Sequence, residues 1–263
     1  MAHRRKIYRF PTSNEYEYTY KGRYGAKGEK RGPRRRKTPR EIEYQNRMNK
    51  RTYIRRLIKL NFVDGIWVTL TYGRGVRKCM DDVKGDFEKF REKMRYAYRK
   101  AGCKFDYIYV IEIGRKGGIH IHMITNRKTG PPETDRLISE KWTHGHVHIT
   151  PLYEDGDYEQ LACYMAKVPP EESEKDKRSR IDRMEQIIED QYDYGTSRGL
   201  KKPVPEVKDY RSRTVRSMIE DGPEPTPGYY IDKSSIRTGI NRFTGMSYLY
   251  YTEHLIKRER GAG

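Results

Sequence analysis

The chain is short of cysteine and of long apolar runs. Its 263 residues include three cysteines, at widely separated positions 79, 103 and 163. An odd number at this spacing argues against a disulfide framework or a Cys-x-x-Cys metal site and favours a reducing compartment. No apolar run approaches the roughly 20 residues that span a membrane, and none follows the first positive charges. We therefore expect no signal peptide, no membrane partner and a cytoplasmic location.

The sequence also lacks a nucleotide-binding loop. No Gly-x-x-x-x-Gly-Lys-Ser/Thr segment occurs anywhere in the chain. That loop holds nucleotide phosphates in helicases and related motors. If this protein acts where duplex strands must be opened, a separate helicase has to open them.

Acidic residues are outnumbered by basic ones. The chain carries 56 Lys and Arg against 37 Asp and Glu, a net charge of +19. Such a balance favours binding to phosphate backbones through counterion release, without separating DNA from RNA or an enzyme from a ribosome-associated protein. Residues 1–40 are the most basic part and predict a flexible arm, with Arg34, Arg35 and Arg36 as candidate DNA contacts.

A short segment of alternating histidines is the strongest functional signal. His120 and His122 alternate with aliphatic residues after a glycine-rich turn, which is typical of a strand with both imidazoles on one face. The strand before the turn ends near Glu112, and an antiparallel register that places Glu112 opposite His120 pairs every apolar residue with another. The pattern predicts a metal site made of Glu112, His120 and His122, whose open positions suit catalysis.

Other polar residues near this hairpin are weaker candidates. Thr69 and Thr71 share one face of a predicted strand, and Arg115 and Lys116 lie in the glycine-rich turn, where they are candidate DNA contacts. A second alternating set has no carboxylate partner in its local pattern, so DNA contact or plain surface is the preferred interpretation. Its members are His144, His146 and His148.

A predicted helix downstream carries a candidate nucleophile. Tyr164 and Lys167 are three residues apart and share one helix face, and Pro169 and Pro170 end the helix. A phenol is a poor nucleophile at neutral pH until a nearby cation favours phenolate. Lys167 could supply that cation, although a Tyr and Lys pair on a helix is also common without function.

The order of predicted elements indicates an α+β fold. Helices and strands alternate around one hairpin, which favours a largely antiparallel central sheet with helices on one face and the catalytic site on the other. We predict three parts: a basic flexible arm over 1–40, a core over 41–170, and an extension over 171–263 with a charged helix and a hairpin, packed on the core.

These motifs together resemble a known superfamily. The segment Trp67-Val-Thr-Leu-Thr71, then Glu112 with His120-Ile-His122, then Tyr164-Met-Ala-Lys167, is similar to the ordered motifs of HUH endonucleases. The resemblance is closest to the single-tyrosine rolling-circle replication initiators of phages, plasmids and integrative elements. It covers about residues 60–170 and implies their palm-like fold. A second tyrosine at Tyr-x-x-x-Tyr spacing, which some phage initiators use, is missing.

The resemblance implies a reaction and its partners. In that family a divalent metal ion, usually Mg²⁺ or Mn²⁺, polarises a phosphate of single-stranded or hairpin origin DNA. The tyrosine then attacks to give a 5′-phosphotyrosine link and a 3′-OH primer, and the link allows strands to be rejoined. The expected partners are therefore origin DNA and a helicase and polymerase of a bacterial host. An HUH transposase or relaxase, or a non-catalytic single-strand-binding module, would show the same motifs.

Overall fold

The computed structural model describes residues 3–21, 31–113, 118–128, 130–153, 158–166, 168 and 192–256. The chain divides into two compact units. We call Glu43–Lys202 the central unit, and Met1–Ile42 with Pro203–Gly263 the terminal unit. No helix in the described part of the chain is both long and apolar enough to cross a membrane.

The central unit is built on a five-stranded antiparallel sheet. Its strands are β3 (Ile66–Thr71), β4 (Tyr107–Ile113), β5 (Ile119–Thr125), β6 (Val147–Pro151) and β7 (Tyr192–Thr196). They lie side by side in the order β6, β3, β5, β4, β7. All pairings are antiparallel, which confirms the expected α+β class with an antiparallel central sheet.

Helices pack on both faces of this sheet. They are α1 (Pro39–Asn61), α2 (Met80–Lys100), α3 (Thr134–Lys141) and α4 (Glu159–Ala166). Phe87, Phe90 and Met94 of α2 and Leu137 of α3 form one core with the aliphatic face of the sheet. Apolar residues of α1 and α4 form a second core on the opposite face. The sequence indicates helices on one face only, because the histidine pattern does not show that α1 and α4 pack beside it.

The local sequence explains where these elements begin. At the start of α1, Thr38 and Glu41 form a capping box, in which Thr38 N donates to Glu41 Oε2 at 3.0 Å and Glu41 N donates to Thr38 Oγ1 at 3.2 Å. In β5, alternate residues Ile119, Ile121 and Met123 are buried in the first core. The strict alternation fixes the register, because a slip of one residue would bury the histidines in apolar surroundings.

The terminal unit holds a second five-stranded antiparallel sheet. Its strands are β1 (His3–Arg9), β2 (Ser13–Tyr20), β8 (Glu206–Tyr210), β9 (Tyr229–Asn241) and β10 (Met246–Leu255), in the order β8, β1, β2, β10, β9. The short helix α5 (Val215–Asp221) packs on one face with its Val215 beside Tyr16, Tyr18 and Leu249. The predicted C-terminal hairpin is confirmed by the pairing of β9 with β10.

The prediction of a flexible arm over residues 1–40 is wrong for residues 3–20. These residues form β1 and β2, which pair with each other and with β8 and β10 from the far end of the chain. Residues near position 35 also follow the β9–β10 turn, where Gly32 N donates to Gly245 O and Arg35 N to Arg242 O. Charge count hides the strands because their partners lie about 200 residues away. The predicted charged helix falls mostly outside the described residues.

A buried carboxylate joins β2, β10 and the segment before β9. Glu253 is fully buried and accepts hydrogen bonds from Asn14 Nδ2 at 3.0 Å, Tyr16 OH at 2.7 Å and Thr226 N at 3.0 Å. Burial by itself would raise the pKa of Glu253, but these donors outweigh it and the pKa is lowered. The ionised form of Glu253 therefore stabilises the terminal unit.

We expect Glu253→Gln to lower the free energy of unfolding by about 1.5–3 kcal/mol at pH 7, the usual range for hydrogen bonds to a charged group. A lowered pKa contributes stability that is complete above the unfolded pKa of about 4.3 and is lost as pH falls through the folded value. The difference between the two proteins should therefore shrink below about pH 4 in urea titrations. Glu206→Gln, which removes an exposed partner of Arg9, is the control and should cost under about 1 kcal/mol. An equal loss in both variants would contradict the assignment.

Candidate functional site

The β4–β5 hairpin brings the three predicted ligands to one face of the central sheet. Glu112 is paired directly with His120, and Val110 with His122, so the register expected from the sequence is confirmed. The two imidazole rings are nearly parallel, with centroids 5.9 Å apart. Glu112 Oε1 lies 3.6 Å from His122 Nε2. The opposite face of the same two strands is apolar and packs under α2.

Helix α4 places Tyr164 over this set. The Tyr164 hydroxyl donates a short hydrogen bond to Glu112 Oε1, and its oxygen lies 2.7 Å from His122 Nε2. Ala162, Met165 and Ala166 of the same helix are buried in the second core, which fixes the helix against the sheet. Tyr164 itself is 38% exposed, so its phenol faces both the ligand set and solvent.

A contact between α1 and α4 fixes the first turn of the nucleophile helix. Arg51 Nη1 lies 2.6 Å from Glu159 Oε1, and Arg55 Nε lies 3.7 Å from Glu159 Oε2. Arg51 is 8% exposed, so its ion pair with Glu159 is well shielded from solvent. The pair therefore ties α4 to a longer helix at a point five residues before Tyr164.

Two residues of β3 support His122 from the neighbouring strand. Thr69 is paired with His122, and its Oγ1 lies 3.1 Å from His122 Nδ1. The Trp67 ring stacks on His122 at 5.3 Å and meets the Tyr164 ring edge-on at 5.9 Å. Sequence reasoning gave Trp67 no role, although its alternation with Thr69 already placed it on the same face. Together they fix the orientation of the His122 ring.

Burial keeps the site groups in their neutral forms. It lowers the pKa of His122 to about 4, and burial and the nearby His122 lower the pKa of His120. Burial also raises the pKa of Tyr164 to about 12. At neutral pH both imidazoles therefore keep a free lone pair, and the phenol keeps its proton until an acceptor takes it.

The donor set suits a divalent cation. Neutral imidazoles and a carboxylate are the ligand types that bind Mn²⁺, Fe²⁺ or Zn²⁺, and a carboxylate also suits Mg²⁺. The 3.6 Å between Glu112 Oε1 and His122 Nε2 is shorter than twice the ~2.1 Å ligand distance of Mg²⁺, so one ion could contact both. Among the described residues, no group of three His, Cys, Asp or Glu side chains is already arranged as a metal site. The Tyr164 hydroxyl contacts two of the three donors directly.

Comparison with known proteins points to replication. Residues 65–169 match the family of replication-associated protein ORF2. The matched segment runs from the residue before β3 to just beyond α4, so it includes Glu112, both histidines and Tyr164. This similarity supports a replication initiator of the Rep type. No curated protein and no solved structure matches the chain.

The remaining predicted site residues are more dispersed. Thr71 shares the site face, but its Oγ1 donates to the backbone oxygen of His146 at 3.3 Å. In the terminal unit, Arg35 forms an ion pair with Glu41, and Arg34 and Arg36 are exposed. Three predicted residues lie outside the described part of the chain, and the structure therefore leaves them as predictions. They are Arg115, Lys116 and Lys167.

The second histidine set is divided between the two faces. His148 is paired with Thr69 and Thr71 N bonds to His146 O, which places both exposed histidines beside β3 on the site face. His144 instead contacts the Trp142 ring at 5.0 Å and lies 3.8 Å from Asp86. The three therefore do not converge, and a shared metal site among them is not supported.

We expect Thr69→Val to weaken Mn²⁺ binding about 10- to 100-fold, the usual cost of losing a partner that orients a ligand histidine. Valine keeps the shape of the side chain and the strand preference but leaves His122 Nδ1 without its hydroxyl contact. Calorimetric titration of the protein with Mn²⁺ measures the effect. Thr71→Val, which removes a hydroxyl that contacts only backbone, should leave the affinity unchanged. Equal affinities for the two variants would remove Thr69 from this role.

Proposed function

We propose that the protein is a rolling-circle replication initiator that nicks single-stranded or hairpin origin DNA through Tyr164. The observation that carries this proposal is the contact of one tyrosine hydroxyl with both Glu112 and His122 on a sheet face. The match of residues 65–169 to a replication-associated family supports the same assignment. The products would be a DNA 5′ end joined to Tyr164 and a free 3′-OH.

Glu112, His120 and His122 would hold a divalent ion, Mg²⁺ or Mn²⁺. When bound, such an ion polarises a phosphate and stabilises the charge that develops during attack. Thr69 and Trp67 keep the His122 ring in place through the contacts described above. The buried imidazoles stay neutral and available as donors.

Tyr164 supplies the nucleophile. Its oxygen forms a bond to the scissile phosphorus as the bond from phosphorus to the 3′ oxygen breaks, and the leaving oxygen takes up a proton. The phenol proton must be removed because burial raises the pKa of Tyr164 to about 12. Glu112 Oε1 already accepts this proton in a hydrogen bond, and His122 Nε2 is within 2.7 Å. Lys167, predicted to lie one turn further on, would stabilise the phenolate.

The covalent link preserves the energy of the phosphodiester bond, since a protein ester replaces a DNA ester. The same site can therefore rejoin a strand when a 3′-OH returns, without ATP. A single nucleophile at this site agrees with the missing second tyrosine. A host helicase and polymerase would then open the duplex and extend the new 3′ end.

Basic residues outside the site would hold the DNA backbone. Arg34 and Arg36 are exposed on the segment that follows the β9–β10 turn, and Lys37 lies 4.5 Å from the Phe243 ring in the same place. A cation beside an aromatic ring is a common arrangement for binding single strands. Thr69, Thr71, Arg115 and Lys116 remain the predicted contacts nearer the nick.

The proposal is tested with end-labelled single-stranded DNA that carries inverted repeats from the DNA around the gene. Incubation with the protein and Mg²⁺ or Mn²⁺ should give one nick, a labelled protein adduct, and a 3′ end that a polymerase extends. Cleavage that leaves a 5′-phosphate and no protein adduct would point to a hydrolytic nuclease. Tight binding without cleavage on any strand would point to a non-catalytic binding module.

A further inference from the structure

A cleft on the other side of the central unit is the most prominent feature that the proposed chemistry does not use. It has a volume of about 910 Å³ and lies between the C-terminal half of α2, the segment 128–132 and α3. Its volume is near the upper end of the ~300–1,000 Å³ that is typical of ligand sites. Helices α2 and α3 cover the aliphatic face of the sheet, so the cleft lies on the side away from Tyr164.

The walls of the cleft carry an excess of positive charge. Four lysines line it against two glutamates, and one of these, Glu140, is already paired with Arg136. The lysines are Lys93, Lys100, Lys128 and Lys141. Within the ranges that the structure describes, no ion pair involves Lys93, Lys100 or Lys141. A concave surface with unneutralised cations attracts a polyanion.

The cleft also offers surfaces for planar groups. Tyr96 is 55% exposed on its wall, and the Lys100 ammonium and Arg99 guanidinium lie 5.7 and 5.8 Å from the Tyr96 ring centre. Leu137 and Ala97 provide an apolar floor, with Pro131 and Pro132 at the rim. An exposed aromatic ring flanked by cations suits an unpaired base stacked on the ring with its phosphates beside the lysines.

We propose that this cleft binds a few nucleotides of single-stranded DNA, as a site separate from the Tyr164 face. The choice of DNA over other polyanions rests on the proposed function, whereas the charge and shape of the cleft do not. A second site on the opposite face would keep hold of a strand while the first site cuts and rejoins it. Single strands bend easily enough to pass around one domain.

Two sets of exposed substitutions test the proposal with the full-length protein. Fluorescence anisotropy with an oligothymidylate of about 16 nucleotides, the upper end of one groove's site size, measures affinity in EDTA so that no strand is cut. We expect Tyr96→Ala to weaken binding about fivefold or more, because one stacked base contributes at least ~1 kcal/mol. Lys93→Gln with Lys141→Gln should reduce the slope of log affinity against log salt by about 1.4, or ~0.7 for each phosphate that is no longer neutralised.

Matched controls remove the same groups elsewhere in the central unit. Lys84 and Lys89 are residues of α2 that do not line the cleft, and Tyr153 is 80% exposed. Lys84→Gln with Lys89→Gln, and Tyr153→Ala, should leave both the affinity and the salt slope unchanged. Photocrosslinking with 5-bromodeoxyuridine should in addition modify Tyr96 in the unmodified chain.

Two results would overturn the proposal. The cleft variants and their controls could bind the oligonucleotide equally, or polyglutamate binding could fall in the cleft variants while DNA binding does not. The second result would assign the cleft to an acidic protein partner. Because binding is measured without cleavage, a failure of the nicking proposal would be seen separately as the absence of any adduct.

Discussion

Replacing Tyr164 by Phe is expected to abolish the covalent protein–DNA adduct, lowering its rate of formation by at least about 10³-fold. Phenylalanine has no oxygen to bond to phosphorus, and loss of the nucleophile cannot be compensated by the groups around it. The affinity for single-stranded DNA should change by less than about 10-fold, because the hydroxyl contacts Glu112 and His122. Denaturing gels of labelled DNA measure the adduct, and anisotropy measures the affinity.

Tyr153→Phe is the matched control, since this tyrosine is 80% exposed in the same unit and lies outside α4. It should form the adduct at the rate of the unmodified protein. A Tyr164→Phe protein that still forms the adduct would show that another residue is the nucleophile. A loss of DNA binding together with the adduct would instead indicate that the substitution disturbs α4.

The second large effect concerns the ion. Glu112→Gln and His122→Ala should each lower Mn²⁺ affinity by more than about 100-fold, since losing an outer partner of a ligand already costs about 10- to 100-fold. Nicking should fall with it, and EDTA should abolish nicking in the unmodified protein. Added Mg²⁺ or Mn²⁺ should restore the activity of the unmodified protein only. Calorimetry of Mn²⁺ binding provides a readout that does not depend on DNA.

His148→Ala separates this set from its neighbours. His148 is an exposed residue of β6, paired with Thr69 on the same sheet face, and belongs to the second histidine set. Its removal should leave Mn²⁺ affinity within about twofold of the unmodified value, since ΔΔG values at exposed positions are usually small. If His148→Ala weakened Mn²⁺ as much as His122→Ala, the ligand set would have to be redrawn around β6. Retention of Mn²⁺ affinity in Glu112→Gln would remove that carboxylate.

Much of the central unit can be predicted from the sequence. Alternation of His120 and His122 with aliphatic residues determines both the strand and its faces, and the requirement to pair apolar residues determines the register with Glu112. The capping box at Thr38 and the helical spacing of α2 locate two helices to within a residue or two. These features are local, so a single sequence is enough to show them.

The parts that sequence patterns do not show depend on contacts between distant segments. The pairing of β1 with β8, and of β2 with β10, joins residues about 200 positions apart, and no local pattern indicates which strands meet. A basic composition favours disorder near the N-terminus, although Tyr16 and Tyr18 alternate toward a buried face. The contact of Tyr164 with Glu112 and His122 also requires the packing of α4, because the sequence indicates only its place in the helix.

The most direct test of the central claim is the identity of the residue that carries the DNA. After reaction with origin DNA and Mn²⁺, protease and nuclease digestion leaves a nucleotide on one peptide, and tandem mass spectrometry locates it. The account predicts a phosphate ester on the phenol oxygen of Tyr164, in the peptide that contains α4. A nucleotide attached to any other side chain, or nicked DNA with no modified peptide, would contradict it.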